Sequence, residues 1–361
     1  MQTRTLLPVV LVVTVVAAAC GGRDAKPTAS QPSSNPATSA TGSSATGSPE
    51  GGASGAGLFT TPVPWTKNVT DAPSSERSDA IIAALANAGG WGNDDVLQTD
   101  FAIPIFFADA NTPRMAVVGT DDYCYGGPDC DEVPAEMPVP AAAYIEGSED
   151  FSCDAAQEDC HLLVVDRDES KLYELYQANK VGDQMTAGGF FVWDLNKEYP
   201  DTLRGAQCTS ADAAGFPIAA MTPTADEVAS GELSHALRFI LPNDRMKEGA
   251  YVAPATHAGG PENTDPNAPP YGVRFRLKAD FDDSSFSDPQ KVVIKAMKTY
   301  GMLLSDGGEI ALTFADDKNS TAKWADLGID SQSFKELTPD QFEVVDLDPE
   351  IELTYECVRN P

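Results

Sequence analysis

The chain has 361 residues, with 24 basic and 55 acidic side chains and a formal net charge of −31. Hydrophobic residues make up 42% and aromatic residues 8%, which is enough to build a core and excludes a wholly disordered chain. An acid excess of this size repels phosphate backbones and anionic lipid headgroups. The composition therefore argues against nucleic acid as a partner and against membrane docking through a basic patch.

The first 20 residues have the layout of a secretory signal. Arg4 precedes an apolar run over residues 6–16, which is too short to span a bilayer, and three alanines precede Cys20. A cysteine directly after small residues resembles a bacterial lipobox, which implies lipidation of Cys20; the alternative is an ordinary signal peptide with an incidental cysteine. We therefore expect a lipid-anchored, exported protein of the bacterial cell envelope, at the outer membrane or the cell surface.

Residues 21–57 consist almost wholly of Gly, Ser, Ala, Thr and Pro and show no apolar periodicity. This composition predicts a disordered linker, because such a segment cannot bury enough surface to offset its chain entropy. Residues 58–361 are expected to form one β-rich globular domain, with residues 58–150 as a possible N-terminal lobe. The region after the linker holds 53 of the acidic and 21 of the basic residues, so the acid excess belongs to the folded part.

Six cysteines remain after Cys20, and an even number in an exported chain predicts disulfides. Six cysteines permit 15 pairings. Short loops rich in turn-forming residues separate Cys124 from Cys130 and Cys153 from Cys160, which favours a disulfide in each of these pairs. The remaining cysteines are then expected to form Cys208–Cys357. A zinc site is the competing interpretation, but the sequence has no C-x-x-C pair.

In chain order, short runs rich in Val, Ile, Phe and Tyr predict strands over residues 114–118, 161–166, 171–178, 189–194, 235–241, 251–254, 273–278, 302–304, 310–314 and 342–345. Helices are predicted over residues 78–88, 224–230 and 287–300, the last two with capping signals at Thr224 and Ser287. The expected fold class is mainly β, as a jelly-roll-like β-sandwich with two or three short helices.

The short motifs of serine hydrolases, zinc proteases, P-loop enzymes and dinucleotide enzymes are absent from the sequence. No cofactor is therefore expected. Calcium is a candidate ligand, because the acidic loops at residues 121–132 and 280–288 could bind it with irregular geometry. The segments that begin at Asp166 and Asp346 lack the glycine and the glutamate that a regular calcium-binding loop requires. Solvated acidic loops are the alternative.

Three histidines are the whole set, and His161, His235 and His257 each lie in or beside a predicted strand. An isolated histidine near a strand is more often a structural residue than a functional one. Convergence of two of them in one pocket would favour function.

The run from Val273 to Lys278 alternates apolar and basic residues, which places Arg274, Arg276 and Lys278 on one face of a strand. One interpretation is a solvent face paired with neighbouring acids. The other is a cleft for a carboxylated or sulfated ligand, since an Arg guanidinium binds carboxylates in a bidentate manner.

Glycoside hydrolysis needs two carboxyl groups, one of them with a raised pKa. Spacing cannot select a pair among 53 acids, but Glu174 and Asp212 lie among aromatic or small, turn-like residues, as does Asp194. Trp193 and its tyrosine neighbours could stack on sugar rings, although an ordinary core is the alternative.

Several longer segments resemble a family of exported bacterial proteins. They are WDL at residues 193–195, RGAQCTSADAAGFP at 204–217, TADEVASG at 224–231, HALRF at 235–239, DPNAPPYG at 265–272 and KTYGMLLSDGG at 298–308. The resemblance implies a build similar to that of secreted sandwich proteins that handle polysaccharide. It carries over no catalytic residue.

These observations predict an envelope lipoprotein whose domain binds or processes extracellular carbohydrate, with glycoside hydrolase and polysaccharide lyase as the candidate activities. The candidate catalytic residues are Asp212, Glu174, His235 and His257. The candidate ligand-binding residues are Arg274, Arg276, Lys278, His161, Trp193 and Arg238. The rival hypothesis is a non-catalytic envelope or adhesion protein.

Overall fold

The computed structural model describes residues 57–120, 124, 128–152, 154 and 158–360. Cys20, Cys153 and nearly all of the predicted linker lie outside these residues. Within the described part, no helix combines the length and the apolar character that crossing a membrane requires.

Strands outnumber helices, and the fold is mainly β. The strands, in chain order, are β1 (Thr99–Ile103), β2 (Ile105–Ala108), β3 (Arg114–Gly119), β4 (Glu136–Pro138), β5 (Leu162–Asp166), β6 (Lys171–Tyr176), β7 (Asn179–Val181), β8 (Gln184–Ala187), β9 (Gly189–Asp194), β10 (Gly205–Ala206), β11 (Leu237–Leu241), β12 (Ala250–Tyr251), β13 (Arg274–Leu277), β14 (Met302–Gly307), β15 (Leu312–Ala315), β16 (Phe342–Val345), β17 (Ile351–Glu352) and β18 (Val358–Arg359).

The helices are α1 (Ser78–Asn87), α2 (Ala225–Ser230), α3 (Asp288–Thr299) and α4 (Trp324–Leu327). The three predicted helices are confirmed. Thr224 and Ser287 each accept a hydrogen bond from the backbone N–H three residues later, which completes a capping box at the start of α2 and of α3. Gly301 follows α3 with φ of 75°, a left-handed conformation that ends the helix at little cost for glycine.

The largest sheet has the strand order β1-β15-β11-β14-β13-β16. A second sheet has the order β2-β5-β6-β9, and a third has the order β4-β3-β8-β7. The pairs β1–β15, β11–β14, β2–β5 and β3–β8 are parallel, which differs from the antiparallel pairing of a jelly roll.

The sheet β2-β5-β6-β9 is buried on both faces. Leu163, Leu172 and Trp193 belong to the same apolar core as residues of the largest sheet, such as Phe239. On the opposite face, Val164 packs in a second core together with residues of β3 and β8. The first of these cores also contains buried charged residues, which form the candidate site.

Two predicted disulfides are confirmed. Cys124 pairs with Cys130, and Cys208 pairs with Cys357, which fastens the C-terminal segment to the loop after β10. Cys160 is disulfide-bonded as well, and its expected partner Cys153 lies outside the described residues.

Candidate functional site: a buried charge cluster around Arg238

Arg238 lies in the middle of the largest sheet, and its guanidinium contacts three polar side chains. Its Nε donates to Asp212 Oδ2 at 3.2 Å, and its Nη1 donates to Thr313 Oγ1 at 2.8 Å. Its Nη2 lies 3.6 Å from Asp306 Oδ2. The Arg238 side chain is only 4% exposed. Burial works against its charge, but the two carboxylates outweigh this effect and raise the pKa of Arg238.

The pairing of the strands explains this arrangement. Asp100 of β1 pairs with Thr313 of β15, so both side chains point to the face that Arg238 uses. In the pairing of β11 with β14 the register shifts after Phe239, so that Asp306 pairs with Ile240. Without this bulge, Asp306 would lie on the opposite face of the sheet.

Asp212 belongs to the loop that connects β10 with the segment before α2. Ala214 N–H donates to Ser305 O at 2.9 Å, which attaches the loop to β14. Gly215 has φ of 84°, and a Cβ at this position would lie 2.1 Å from Thr256 Oγ1, so the loop needs glycine there. The loop thus holds Asp212 against Arg238.

The Asp212 side chain is fully buried, and its Oδ1 has no hydrogen-bond partner among the described residues. Burial raises the pKa of Asp212 to about 7; Arg238 opposes this rise, and the charges of Asp306 and Glu174 add to it. A protonated carboxyl group with a free oxygen is able to donate a proton. With a pKa of about 7, Asp212 can exchange a proton near neutral pH, which a general acid or base requires.

His161 and Glu146 form an ion pair beside this group. His161 Nδ1 donates to Glu146 Oε2 at 2.6 Å, and Nε2 donates to Ala211 O at 3.2 Å. Burial works against an imidazolium, but Glu146 outweighs it and raises the pKa of His161 to about 9. Both ring nitrogens face acceptors, which fits a doubly protonated ring and links β5 to the Asp212 loop.

Glu174 of β6 lies on the inner face of its sheet and is fully buried. Its Oε1 accepts the backbone N–H of Ala219 at 2.9 Å, and its Oε2 accepts Trp193 Nε1–H at 3.2 Å. Burial raises the pKa of Glu174 to about 7. Because both oxygens are engaged by the chain itself, the geometry favours a structural role for Glu174 and for the Trp193 indole.

The structure therefore brings five of the sequence-predicted residues into one region: Asp212, Glu174, His161, Trp193 and Arg238. Sequence reasoning missed Glu146, Asp306, Asp100 and Thr313. Asp306 carried a weak signal, since it lies in the segment KTYGMLLSDGG that the family resemblance had singled out.

His235 and His257 lie elsewhere and contact the chain itself. His235 Nδ1 donates to Ala236 O at 2.8 Å, and its Nε2 lies 3.5 Å from Glu227 Oε1 of the α2 capping box. His257 Nδ1 donates to Ala213 O at 2.9 Å and so supports the Asp212 loop from behind. Neither ring converges on the Arg238 cluster, and we assign both a positioning role.

Arg274 and Arg276 are buried and donate to backbone carbonyls of the N-terminal segment. Arg274 contacts Pro64 O and Tyr300 O at 2.8 and 2.7 Å. Arg276 contacts Thr70 O and Ala72 O at 2.9 and 2.8 Å, and also pairs with Glu343. Lys278 is exposed and donates to Asp340 O. These contacts hold residues 64–72 on the sheet. The two arginines therefore form neither the expected solvent-exposed face nor a cleft for a ligand.

Among the described residues, one group of three side chains has ligand atoms close enough for a metal ion: Asp129, Cys208 and Cys357, within 4.8 Å of one another. The two sulfurs are already joined in a disulfide and offer no thiolate. Among the described residues of the two acidic loops, 128–132 and 280–288, Asp129 is the only one that belongs to such a group. These residues therefore give no support for a calcium site.

Comparison of the chain with family models, curated proteins and solved structures finds no match.

Proposed function

We propose that this protein is an exported, lipid-anchored component of the bacterial cell envelope whose β-rich domain binds and processes extracellular carbohydrate at the Arg238 cluster. The observation that carries the proposal is Asp212: a buried carboxyl group with one unpartnered oxygen, held beside a second carboxylate by a shared guanidinium. The export signal and the family resemblance supply the location and the substrate class.

Glycosidases use a pair of carboxyl groups, and these two differ in exposure, while burial raises the pKa of both. Asp212 is fully buried, whereas the Asp306 side chain is 26% exposed. We assign Asp212 as the general acid that protonates the glycosidic oxygen and Asp306 as the carboxylate that activates water or attacks the sugar. Arg238 positions both groups. The sugar would approach from the exposed side of Asp306.

We further propose that the largest sheet and the sheet β2-β5-β6-β9 pack as a sandwich. Support comes from the Arg238 face of the largest sheet: Leu303 of β14, which pairs with Arg238, shares an apolar core with Leu163 and Trp193 of the other sheet.

A non-catalytic envelope protein is the second candidate. It is favoured by the full burial of Glu174 and Asp212 and by the hydrogen bonds that occupy both oxygens of Glu174. In that case the Arg238 cluster would have a structural role, in which it holds the two sheets together.

A panel of purified polysaccharides separates the two candidates. The full-length chain is incubated with each polymer, and new reducing ends are measured for the wild type, Asp212→Asn and Asp306→Asn. Because acid–base groups contribute roughly 10²- to 10⁴-fold to rate, each variant should lose at least about 100-fold in activity while it keeps its circular dichroism spectrum. Asp348→Asn, at an exposed residue near the C terminus, is the matched control. A wild-type protein that neither binds nor cleaves any polymer would overturn the proposal in favour of the second candidate.

A further inference from the structure

A buried carboxylate lies beside the disulfide that fastens the C-terminal segment. A carboxylate oxygen of Asp129 and the sulfurs of Cys208 and Cys357 all lie within 4.8 Å of one another. Asp129 is only 1% exposed, and its Oδ2 has no hydrogen-bond partner among the described residues. A buried carboxylate oxygen without a donor or a cation is costly, and a disulfide has no proton to donate to it. In the oxidised protein this oxygen therefore lacks the partner that its burial calls for.

Contacts other than the disulfide hold Asp129 beside Cys208. Asp129 Oδ1 accepts the backbone N–H of Thr209, the residue after Cys208, at 2.8 Å. The buried Arg204 donates from Nη2 to the backbone carbonyl of Asp129 at 3.1 Å and from Nη1 to the backbone carbonyl of Thr209. The carboxylate is thus attached to the loop after β10 through four atoms that do not change when the disulfide opens.

The C-terminal segment is also attached independently of its cysteine. Val358 of β18, directly after Cys357, pairs with Ala206 of β10. The backbone N–H of Asn360 donates to Arg204 O at 3.0 Å. These bonds lie on the C-terminal side of Cys357, within three residues of it. They keep the two cysteine side chains next to each other after reduction.

Reduction would turn this arrangement into a set of metal ligands. A dithiol donates two electrons and two protons to the Cys208–Cys357 bond and is itself oxidised to a disulfide, and Cys357 is partly exposed to it. Two thiolates with one carboxylate suit a soft divalent cation such as Zn²⁺, whereas calcium prefers oxygen ligands alone. Zn–S bonds of about 2.3 Å place two sulfurs about 3.8 Å apart in a tetrahedral site, which is within the spacing of the three donors.

We infer that reduction converts the Cys208–Cys357 disulfide into a binding site for Zn²⁺, with the two thiolates and the Asp129 carboxylate as ligands and water in the fourth position. The thiols release their two protons when the metal binds. The metal then fastens the C-terminal segment to the loop after β10, as the disulfide does in the oxidised chain. The ligands come from three distant segments, so the site needs no C-x-x-C motif. This inference is independent of the proposed carbohydrate function.

Titration with Co²⁺ tests the site, because cobalt bound to thiolates in a tetrahedral site has a charge-transfer band in the near ultraviolet and strong bands in the visible range. The full-length chain is reduced without oxygen by a water-soluble phosphine, which is oxidised to its phosphine oxide. The reduced wild type should bind Co²⁺ with these bands, and Zn²⁺ should remove the bands by displacement. The oxidised chain should show none of them.

Two variants assign the ligands. Cys208→Ser combined with Cys357→Ser retains the other cysteines and should bind one cobalt ion fewer per chain than the reduced wild type. Asp129→Asn keeps an acceptor for the Thr209 N–H but removes the anionic ligand. It should weaken cobalt binding at least about tenfold, since even the loss of a group behind a metal ligand commonly costs that much. Asp348→Asn removes the same charge at an exposed residue and should keep the wild-type affinity.

Circular dichroism shows whether each reduced chain is folded. If the double serine variant does not fold, Asp129→Asn tests the same site with all cysteines present. The inference is overturned if the reduced wild type binds no cobalt, or if it loses its fold on reduction and cobalt does not restore it. Equal cobalt binding by the double serine variant, or unchanged affinity in folded Asp129→Asn, would overturn it as well. All of these outcomes leave the proposed carbohydrate function standing.

Discussion

Replacement of Asp212 by asparagine should change how the stability of the protein depends on pH. Asparagine has the size of the protonated acid, can still accept a hydrogen bond from Arg238 and cannot ionise. The variant therefore retains the packing of the site while it removes one buried titrating group.

The sign and size of the effect follow from the pKa of Asp212. Burial raises this pKa from its ordinary value of 3.8 to about 7. Between these two values the unfolded chain has released the proton and the folded chain has kept it, so the free energy of unfolding falls as pH rises. One such group contributes about 1.4 kcal/mol per pH unit, or roughly 4 kcal/mol over the whole window.

Other groups titrate in the same range. Glu174, whose pKa burial raises to about 7, contributes with the same sign, and the stability that His161 contributes is lost as pH rises toward its pKa of about 9. The difference between wild type and Asp212→Asn largely removes these shared contributions. We expect the variant to gain about 1.4 kcal/mol per pH unit relative to wild type from about pH 4 to pH 7.

The measurement is urea unfolding at half-unit pH steps, with the disulfides intact, followed by circular dichroism. Asp348→Asn serves as the control because it removes the same charge at an exposed residue. Parallel profiles for Asp212→Asn and wild type would refute the argument, since they would mean that Asp212 titrates alike in the folded and unfolded chain.

Further expectations concern the rest of the fold. Cys208→Ser combined with Cys357→Ser removes a bridge between residues 149 positions apart and should cost roughly 2–5 kcal/mol in urea unfolding; an unchanged midpoint would contradict this. Arg276→Met should destabilise the fold, because several carbonyls of residues 69–72 lose their donor, while glycan binding by the folded fraction stays at the wild-type level in calorimetry. Thr224→Ala removes the side chain that accepts the N-cap hydrogen bond of α2 and should lower the free energy of unfolding by about 1 kcal/mol in the same assay. An unchanged free energy of unfolding would contradict a stabilising role of the capping box. Radioactive palmitate should label the wild-type chain but not Cys20→Ala, and equal labelling would contradict the lipid anchor.

Local sequence patterns were sufficient for much of the fold. The strands predicted over residues 161–166 and 171–178 are present as β5 and β6, which pair across the polar turn between them. The strand β1 was missed: its residues Thr99–Ile103 mix polar and apolar types just before Pro104, and it is held by parallel pairing with β15, far away in sequence.

The candidate site was harder to predict for a related reason. Asp212 and Arg238 were identified from their segments, but their contact depends on the packing of a loop against a sheet. Asp306 reaches the same face only because the register shifts within the pairing of β11 with β14, and no local pattern of side chains shows such a shift. Sequence alternation correctly separated Arg274 and Arg276 from the apolar face, but it could not show that backbone carbonyls from residues 64–72 cover them.

The most direct test of the account is the activity of the full-length chain on the polysaccharide panel, compared between wild type and Asp212→Asn. The account predicts that wild type releases reducing ends from at least one polymer, that Asp212→Asn is at least about 100-fold slower while folded, and that Asp348→Asn keeps the wild-type rate. A wild-type chain without binding or cleavage, or an Asp212→Asn variant with full activity, would contradict the assignment of the Arg238 cluster as the functional site.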